Sequence, residues 1–94
     1  MNTRENYAIV YEPGPNWVPG KTMREQPLGD HLPHLLREHA SGWVTMGGPF
    51  RDDTGGLVIV VAESEEVPQR IVAEDPAIIA GVLKASVHKW KRIV

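Results

Sequence analysis

Residues 57–61 read LVIVV, and this run of five apolar residues constrains the fold more than any other part of the sequence. A strand with one face in water alternates apolar and polar side chains, whereas a strand that is apolar at every position is typical of one buried on both faces. Val and Ile also favour the extended conformation. The chain must therefore supply apolar cover for both faces of a sheet.

Four strands and two main helices are predicted along the chain, separated by stretches rich in Pro, Gly and Asp. The strands are predicted over residues 6–12, 43–50, 56–62 and 82–94, and the helices over residues 30–41 and from residue 64 onward. This β-α-β-β-α-β order predicts an α+β ferredoxin-like sandwich, with a four-stranded antiparallel sheet and both helices on one face. A length of 94 residues suits a single domain over residues 1–94.

The first helix has clear start and stop signals. Asp30 is a favourable N-cap residue, and Gly42 is placed to end the helix. Pro33 falls in the first turn, where its missing N–H has no helical partner to lose. The helix is therefore predicted to begin next to Asp30.

One face of this helix is predicted to pack on the sheet. The spacing i, i+3, i+4 and i+7 defines that face, and it is occupied by Leu32, Leu35, Leu36 and His39. Because successive helical residues are about 100° apart, His31 is expected at the edge of this stripe. His34 is expected to face solvent, the preceding loop or a partner subunit.

The second half of the chain carries its own capping signals. Ser64 is predicted as the N-cap of the second helix, with Val67 and Ile71 on its inner face. Asp75 and Pro76 then suit the N-cap and first position of a further short helical turn. Capping alone is enough to explain an Asp-Pro pair at this place.

The second face of the sheet also needs cover. Val58 and Val60 point to one side of their strand, and Leu57, Ile59 and Val61 point to the other. With both helices on one side, an apolar face would remain exposed to water in a monomer. We therefore expect a homodimer in which two sheets pack face to face.

Composition excludes several classes of function. Ten Lys and Arg residues stand against twelve Asp and Glu residues, so the net charge of −2 favours neither nucleic acid nor anionic lipid. No segment approaches the roughly 18 apolar residues that span a bilayer. The absence of cysteine excludes disulfides and thiol nucleophiles, and it fits a reducing compartment. We expect a cytoplasmic protein.

Two histidines one turn apart, His31 and His34, raise two kinds of chemistry. Together with Glu38 they could bind a metal, but histidine pairs in zinc sites usually have i, i+4 spacing or a firm third ligand, so no metal site is predicted. A histidine with a carboxylate on one ring nitrogen is instead suited to general acid–base catalysis and needs no cofactor.

Four stretches, taken together, resemble the YciI-like (YCII-related) family of dimeric α+β barrel proteins. They are REQPLGDHLPHLL, SGWVTMGGPF, GLVIVVAESEE and AEDPAIIAGVL, which occur in order and cover about residues 24–83. The resemblance implies that His31 and Asp75, the aspartate of the Asp-Pro dipeptide, form a catalytic pair. It also implies isomerase, lactonase or dehydrochlorinase chemistry on a small cyclic or aromatic-derived metabolite.

The same hypothesis places a largely apolar pocket between the first helix, the sheet and the long loop at residues 13–27. The residues expected to bind the substrate there are Trp17, His34, Met46, Gly48 and Pro49. Trp17 could equally pack on the core. The alternative function is a non-catalytic module that holds a metabolite or only assembles, with Asp75 acting as a helix cap.

Overall fold

The computed structural model describes residues 3–94 and contains one four-stranded antiparallel sheet. Its strands are β1 (Glu5–Pro13), β2 (Val44–Pro49), β3 (Gly56–Ala62) and β4 (Leu83–Trp90). The strand order across the sheet is β2-β3-β1-β4, so β1 pairs with both β3 and β4. This is the topology of the ferredoxin-like sandwich, and the predicted fold class is confirmed.

Three helices complete the fold of residues 3–94. They are α1 (His31–Ala40), α2 (Glu66–Ala73) and the single-turn α3 (Pro76–Ile79), with a short 3-10 turn at Met23–Glu25 inside the long loop. Within residues 3–94 no helix has both the length and the apolar character needed to cross a bilayer.

The capping signals act largely as expected. Asp75 accepts a hydrogen bond from the N–H of Ala77 and so begins α3. At the start of α2 the N-cap is Glu65, one residue after the predicted Ser64, and its side chain makes no capping bond, although the hydroxyl of Ser64 accepts a hydrogen bond from the N–H of Glu66. Asp30 stands just before α1, as predicted, but its side chain makes no capping hydrogen bond.

The core lies between the helices and one face of the sheet. Alternate residues of β1 and β3 point into it and are buried, namely Tyr7, Ile9, Tyr11, Val58 and Val60. Ile71 of α2 and Ala77 of α3 pack on them, with Val67 partly buried beside them. The predicted inner face of α2 is therefore confirmed.

The predicted inner face of α1 is wrong by one residue. Leu32 and Leu36 are 61% and 56% exposed, whereas His34 and Glu38 are buried and His31 is largely covered. The inward residues keep the i, i+3, i+4, i+7 spacing, but they start at His31 instead of Leu32. The helix is therefore rotated by about 100° from the orientation that the leucines suggested.

Polar partners on α2 explain this rotation. The Nε2–H of His34 donates to the carbonyl of Ile71 at 2.8 Å, and that carbonyl lies in the last turn of α2, where helical partners are missing. Both carboxylate oxygens of Glu38 accept hydrogen bonds from the guanidinium of Arg70, at 2.9 and 3.0 Å. Two satisfied polar contacts thus replace the expected leucine contacts.

The outer face of the sheet carries no helix. Cross-strand partners share a face, and the outward positions include Ala8 opposite Ile59 and Val10 opposite Leu57. On β2 an extra residue, Thr45, interrupts the register, so Val44 faces the core while Met46 faces outward and is 65% exposed. The expected apolar residues on both faces of β3 are confirmed, whereas β4 places Ser86 and His88 on the outer face, opposite Val10 and Ala8.

The Glu38 contact with Arg70 makes stability depend on pH. Hydrogen bonding from Arg70 lowers the pKa of Glu38, so this stabilisation is complete above the pKa of an unfolded glutamate and is lost as the pH falls through the lower folded pKa. We expect Glu38→Gln to lower the free energy of unfolding by about 1–3 kcal/mol at pH 7. The difference from wild type should shrink below about pH 4. Urea denaturation over a pH series measures both.

Glu74→Gln is the matched control, because Glu74 accepts from the same guanidinium at 3.0 Å but is exposed. Its effect at pH 7 should stay below about 0.5 kcal/mol. An equal loss in the two variants would contradict a special contribution from the buried contact.

Candidate functional site

The site centres on the buried carboxylate of Asp75. This side chain is 0% exposed, and both of its oxygens are engaged. Oδ1 accepts from the N–H of Ala77 at 2.9 Å, and Oδ2 lies 2.6 Å from Nδ1 of His31. The helix-capping contact and the histidine contact therefore coexist on one carboxylate, one on each oxygen.

The position of His31 follows from local structure. It is the first residue of α1, where Pro33 in the first turn disturbs no helical hydrogen bond. Because a carboxylate can only accept, Nδ1 of His31 carries the proton of this hydrogen bond. In the neutral ring Nε2 then holds the lone pair. The ring is 15% exposed, and Nε2 has no hydrogen-bond partner among residues 3–94.

Tyr11 is a third member of this cluster, and the sequence analysis did not identify it. Its ring meets that of His31 edge to face, with centroids 5.4 Å apart and planes at 79°. Burial, and secondarily the nearby carboxylate of Asp75, raise the pKa of Tyr11 well above its usual value. The sequence feature that could have identified Tyr11 is the alternation of β1, which directs Tyr7, Ile9 and Tyr11 to the same inner face. Tyr11 lies near the end of this strand, where the chain enters the long loop.

His34 lies elsewhere than expected. The prediction that it faces solvent, the preceding loop or a partner subunit is wrong, because the ring is buried and its Nε2–H donates to the carbonyl of Ile71. The residue holds α1 against the end of α2. Its contact fixes the helix that carries His31.

Three of the expected ligand-contacting residues share a separate hollow. Met46, Gly48 and Pro49 line it together with Phe50, Leu57 and Ile59, and its volume is about 340 Å³. Neither His31 nor Asp75 is among its walls. Pro49 lies opposite Gly56, which lies opposite Tyr11, so the hollow and the His31 cluster are at the same end of the sheet. Met46 and Ile59 point to the outer face, however, whereas Tyr11 and His31 lie on the helix side, so the sheet separates the hollow from the cluster.

The side-chain amide of Gln26 is one of the contacts that hold the long loop in place. The side chain of the buried Gln26 bonds to both the N–H and the carbonyl of Val18, at 2.8 and 2.9 Å. Trp17, next to Val18, is partly buried and packs against the core. Of the two interpretations of Trp17, as a substrate contact or as a residue packed on the core, the structure favours the second.

The side chains considered for metal binding turn to different partners. His31 meets Asp75, His34 meets a backbone carbonyl, and Glu38 meets Arg70. Nowhere in the described part of the chain do three His, Asp or Glu side chains come together in a way that could hold a metal ion.

Comparison with known proteins identifies the family. A model of the YCII-related domain matches residues 6–91, which is almost the whole chain. The chain belongs to the YCII-related domain family. The resemblance noted in the sequence is thereby confirmed.

Two proteins illustrate the range of this similarity. The YCII-related chain is 31% identical over 69 residues to the uncharacterized protein YjpA of Bacillus subtilis, and the match covers 73% of this chain and 81% of YjpA. A solved structure, 5-chloro-2-hydroxyhydroquinone dehydrochlorinase (TftG) from Burkholderia phenoliruptrix in complex with 2,5-dihydroxybenzoquinone, superposes with a TM-score of 0.60. It shares 24% identity, and the match covers 90% of this chain and 93% of TftG. The second comparison supports the fold.

The two contacts of Asp75 can be separated by mutation. Asp75→Asn keeps an oxygen that can accept from Ala77, whereas Asp75→Ala removes the cap and leaves the Nδ1–H of His31 without its partner. We expect the Ala variant to be less stable than the Asn variant by about 0.5–2 kcal/mol, the usual value of an N-cap. Denaturant unfolding of both variants measures the difference. Equal stabilities would contradict the capping role.

Proposed function

We propose that this YCII-related protein is a cofactor-independent acid–base enzyme in which His31 is the catalytic base and Asp75 orients it. The observation that carries the proposal is the 2.6 Å contact between Nδ1 of His31 and the fully buried Asp75 carboxylate. That contact leaves Nε2 of a partly exposed ring to meet a ligand. A catalytic histidine oriented by a carboxylate on its second nitrogen is a recurring arrangement.

The chemistry requires only these two residues. Nε2 takes a proton from the substrate, and the buried carboxylate stabilises the imidazolium that forms. In an isomerisation the proton returns to a different atom of the substrate. In an elimination of HCl, the electron pair left by the proton forms the new double bond, the C–Cl bond breaks and chloride departs.

We assign the substrate to small cyclic or aromatic-derived acids, phenols, quinones or lactones. The dehydrochlorinase TftG, whose fold this chain shares over most of its length, acts on a chlorinated hydroxyhydroquinone and is solved with 2,5-dihydroxybenzoquinone. Trp17, which packs at the edge of the core, is proposed as a ligand contact.

The base is tested by His31→Gln with a panel of lactones and chlorinated phenols or hydroquinones. General acid–base catalysis by a positioned side chain contributes about 10²–10⁴-fold, and we expect kcat to fall by that factor. Asp75→Asn should also lower kcat, because an amide NH2 next to Nδ1 would favour the tautomer whose Nε2 carries a proton. Steady-state kinetics measures both effects.

His39→Gln is the control variant for these measurements. His39 lies on the same helix, and its Nδ1–H donates to the carbonyl of Val44 at 2.8 Å, away from Asp75. Its kcat should remain within about twofold of wild type, as for a surface change far from the reaction. Ligand binding without turnover of any compound in the panel would favour the non-catalytic module instead.

We further propose that the protein is a homodimer that buries the outer sheet face. The support is the row of outward apolar side chains across three strands, which no helix covers. These side chains belong to Ala8, Val10, Met46, Leu57, Ile59 and Val61. Water contact with an apolar face of this extent is unfavourable, and a two-fold axis would place identical faces against each other.

The lack of cysteine supports a cytoplasmic location for such a dimer.

The dimer is tested by Met46→Glu. Because Met46 is 65% exposed in the single chain, the monomer should tolerate the charge, whereas a face-to-face dimer would bury two copies of it. We expect wild type to sediment as a dimer at micromolar concentration and the variant to dissociate at least tenfold more readily. Leu36→Glu is the control, since Leu36 is similarly exposed but lies on α1, on the opposite side of the sheet. A monomeric wild type would refute the proposal.

A further inference from the structure

The hydroxyl of Tyr11 has no hydrogen-bond partner, although the residue is only 2% exposed. In the described range 3–94 it is the one buried side-chain nitrogen or oxygen atom without a partner. The side chains of the buried residues Gln26, His34, Glu38 and Asp75 all make hydrogen bonds. Because burying a donor without a partner is unfavourable, the hydroxyl does not stabilise the fold.

The surroundings of Tyr11 connect this hydroxyl to the site. Its ring is in edge contact with that of His31, and the Asp75 carboxylate is close enough to influence it. Burial and that negative charge both raise the pKa of Tyr11, so the phenol is neutral at physiological pH. A neutral phenol is a hydrogen-bond donor, and carbonyl or phenolate oxygens are its natural acceptors.

We propose that Tyr11 is a substrate-binding residue whose hydroxyl donates a hydrogen bond to an oxygen atom of the bound ring, next to His31. The proposal rests on the acid–base function proposed above and adds a requirement to it, namely that the ligand carries a carbonyl, carboxylate or phenolate oxygen. A phenylalanine would fill the same space and avoid an unpartnered hydroxyl, so the hydroxyl is best explained by a ligand that completes its hydrogen bonding.

Such a donor would contribute orientation as well as affinity. The edge contact fixes the plane of Tyr11 relative to the His31 ring. A ring oxygen held by Tyr11 would therefore bring the neighbouring ring atoms towards Nε2 of His31 in a restricted set of poses. A small ring without an oxygen substituent would leave the hydroxyl unpartnered and should bind poorly.

The test is Tyr11→Phe with 2,5-dihydroxybenzoquinone as the probe, and binding is measured by absorbance titration or calorimetry. Hydrogen bonds to charged ligand groups correspond to about 10- to 100-fold in affinity, so we expect Kd to rise by at least tenfold. The midpoint of thermal unfolding should stay the same or increase, because the variant removes an unpartnered buried group. A residue with a merely structural role would not show this combination.

Tyr7→Phe is the matched control. Tyr7 lies on the same strand and the same face, is also buried, and is four residues from Tyr11. Because the Tyr7→Phe variant keeps the hydroxyl of Tyr11, its Kd for the probe should equal that of wild type. The chain has only two tyrosines, so in this variant every tyrosine signal comes from Tyr11.

Because Tyr11 is the one tyrosine left in the Tyr7→Phe variant, its signal gives a second measurement. This measurement does not require Tyr11→Phe to fold. In the Tyr7→Phe variant labelled with ¹³Cζ-tyrosine, the single Cζ resonance should move when the probe is added. An unmoved resonance, or a folded Tyr11→Phe that binds the probe as tightly as wild type, would overturn the proposal.

The outcome also separates this proposal from the acid–base function. Weaker probe binding by Tyr11→Phe, combined with undiminished turnover by His31→Gln, would retain Tyr11 and reject His31 as the base. Unchanged probe binding by Tyr11→Phe, combined with reduced turnover by His31→Gln, would reject the binding function of Tyr11 and retain His31 as the base. A wild-type protein that does not bind the probe at millimolar concentration would reject the proposed ligand class and this inference together.

Discussion

The buried carboxylate of Asp75 joins the two halves of the molecule. One oxygen begins α3 by accepting from the N–H of Ala77, and the other accepts from Nδ1 of His31 at the start of α1. A buried negative charge is tolerated only when it is fully hydrogen-bonded, and here each of its two contacts satisfies one oxygen. Helix capping and orientation of the histidine are therefore two functions of one side chain.

Helix α1 is docked mainly by polar contacts. Its inward residues His31, His34 and Glu38 each meet a partner in the segment from Arg70 to Asp75. Directional hydrogen bonds specify the rotation of a helix more narrowly than apolar contacts do, because their donors and acceptors must align. This set of contacts holds the ring of His31 in one orientation, as a catalytic base requires.

The sheet separates the molecule into two unlike surfaces. On the helix side, β1 and β3 contribute the core and also Tyr11, whose unpartnered hydroxyl lies in the His31 cluster. On the outer side the same strands present apolar residues that no helix covers, although Ile59 among them is already buried within the single chain. The hollow lined by Met46, Gly48 and Pro49 belongs mainly to this outer surface. A partner subunit on the outer face would thus cover that hollow.

Local features of the sequence were sufficient for the order of the elements and for their approximate extent, although the last strand ends at Trp90 and not at residue 94. The apolar run at residues 57–61, Pro33 near the start of α1 and the Asp75-Pro76 pair each act through neighbouring residues, and such short-range preferences can be read directly. Together they predict the ferredoxin-like topology, and the family resemblance adds the pairing of His31 with Asp75.

Other features depend on partners that are distant in the sequence. The leucines of α1 predicted the correct period but the wrong rotation, because the groups that set it, Arg70 and the carbonyl of Ile71, lie more than thirty residues away. The extra residue at Thr45 turns Met46 away from the face that Val44 occupies, and alternation alone cannot reveal such an insertion. The contact of Tyr11 with His31 likewise exists only once the strand and the helix have packed. The sequence by its short-range chemistry determines which elements form, whereas long-range hydrogen bonds and packing decide which side chains meet at the site.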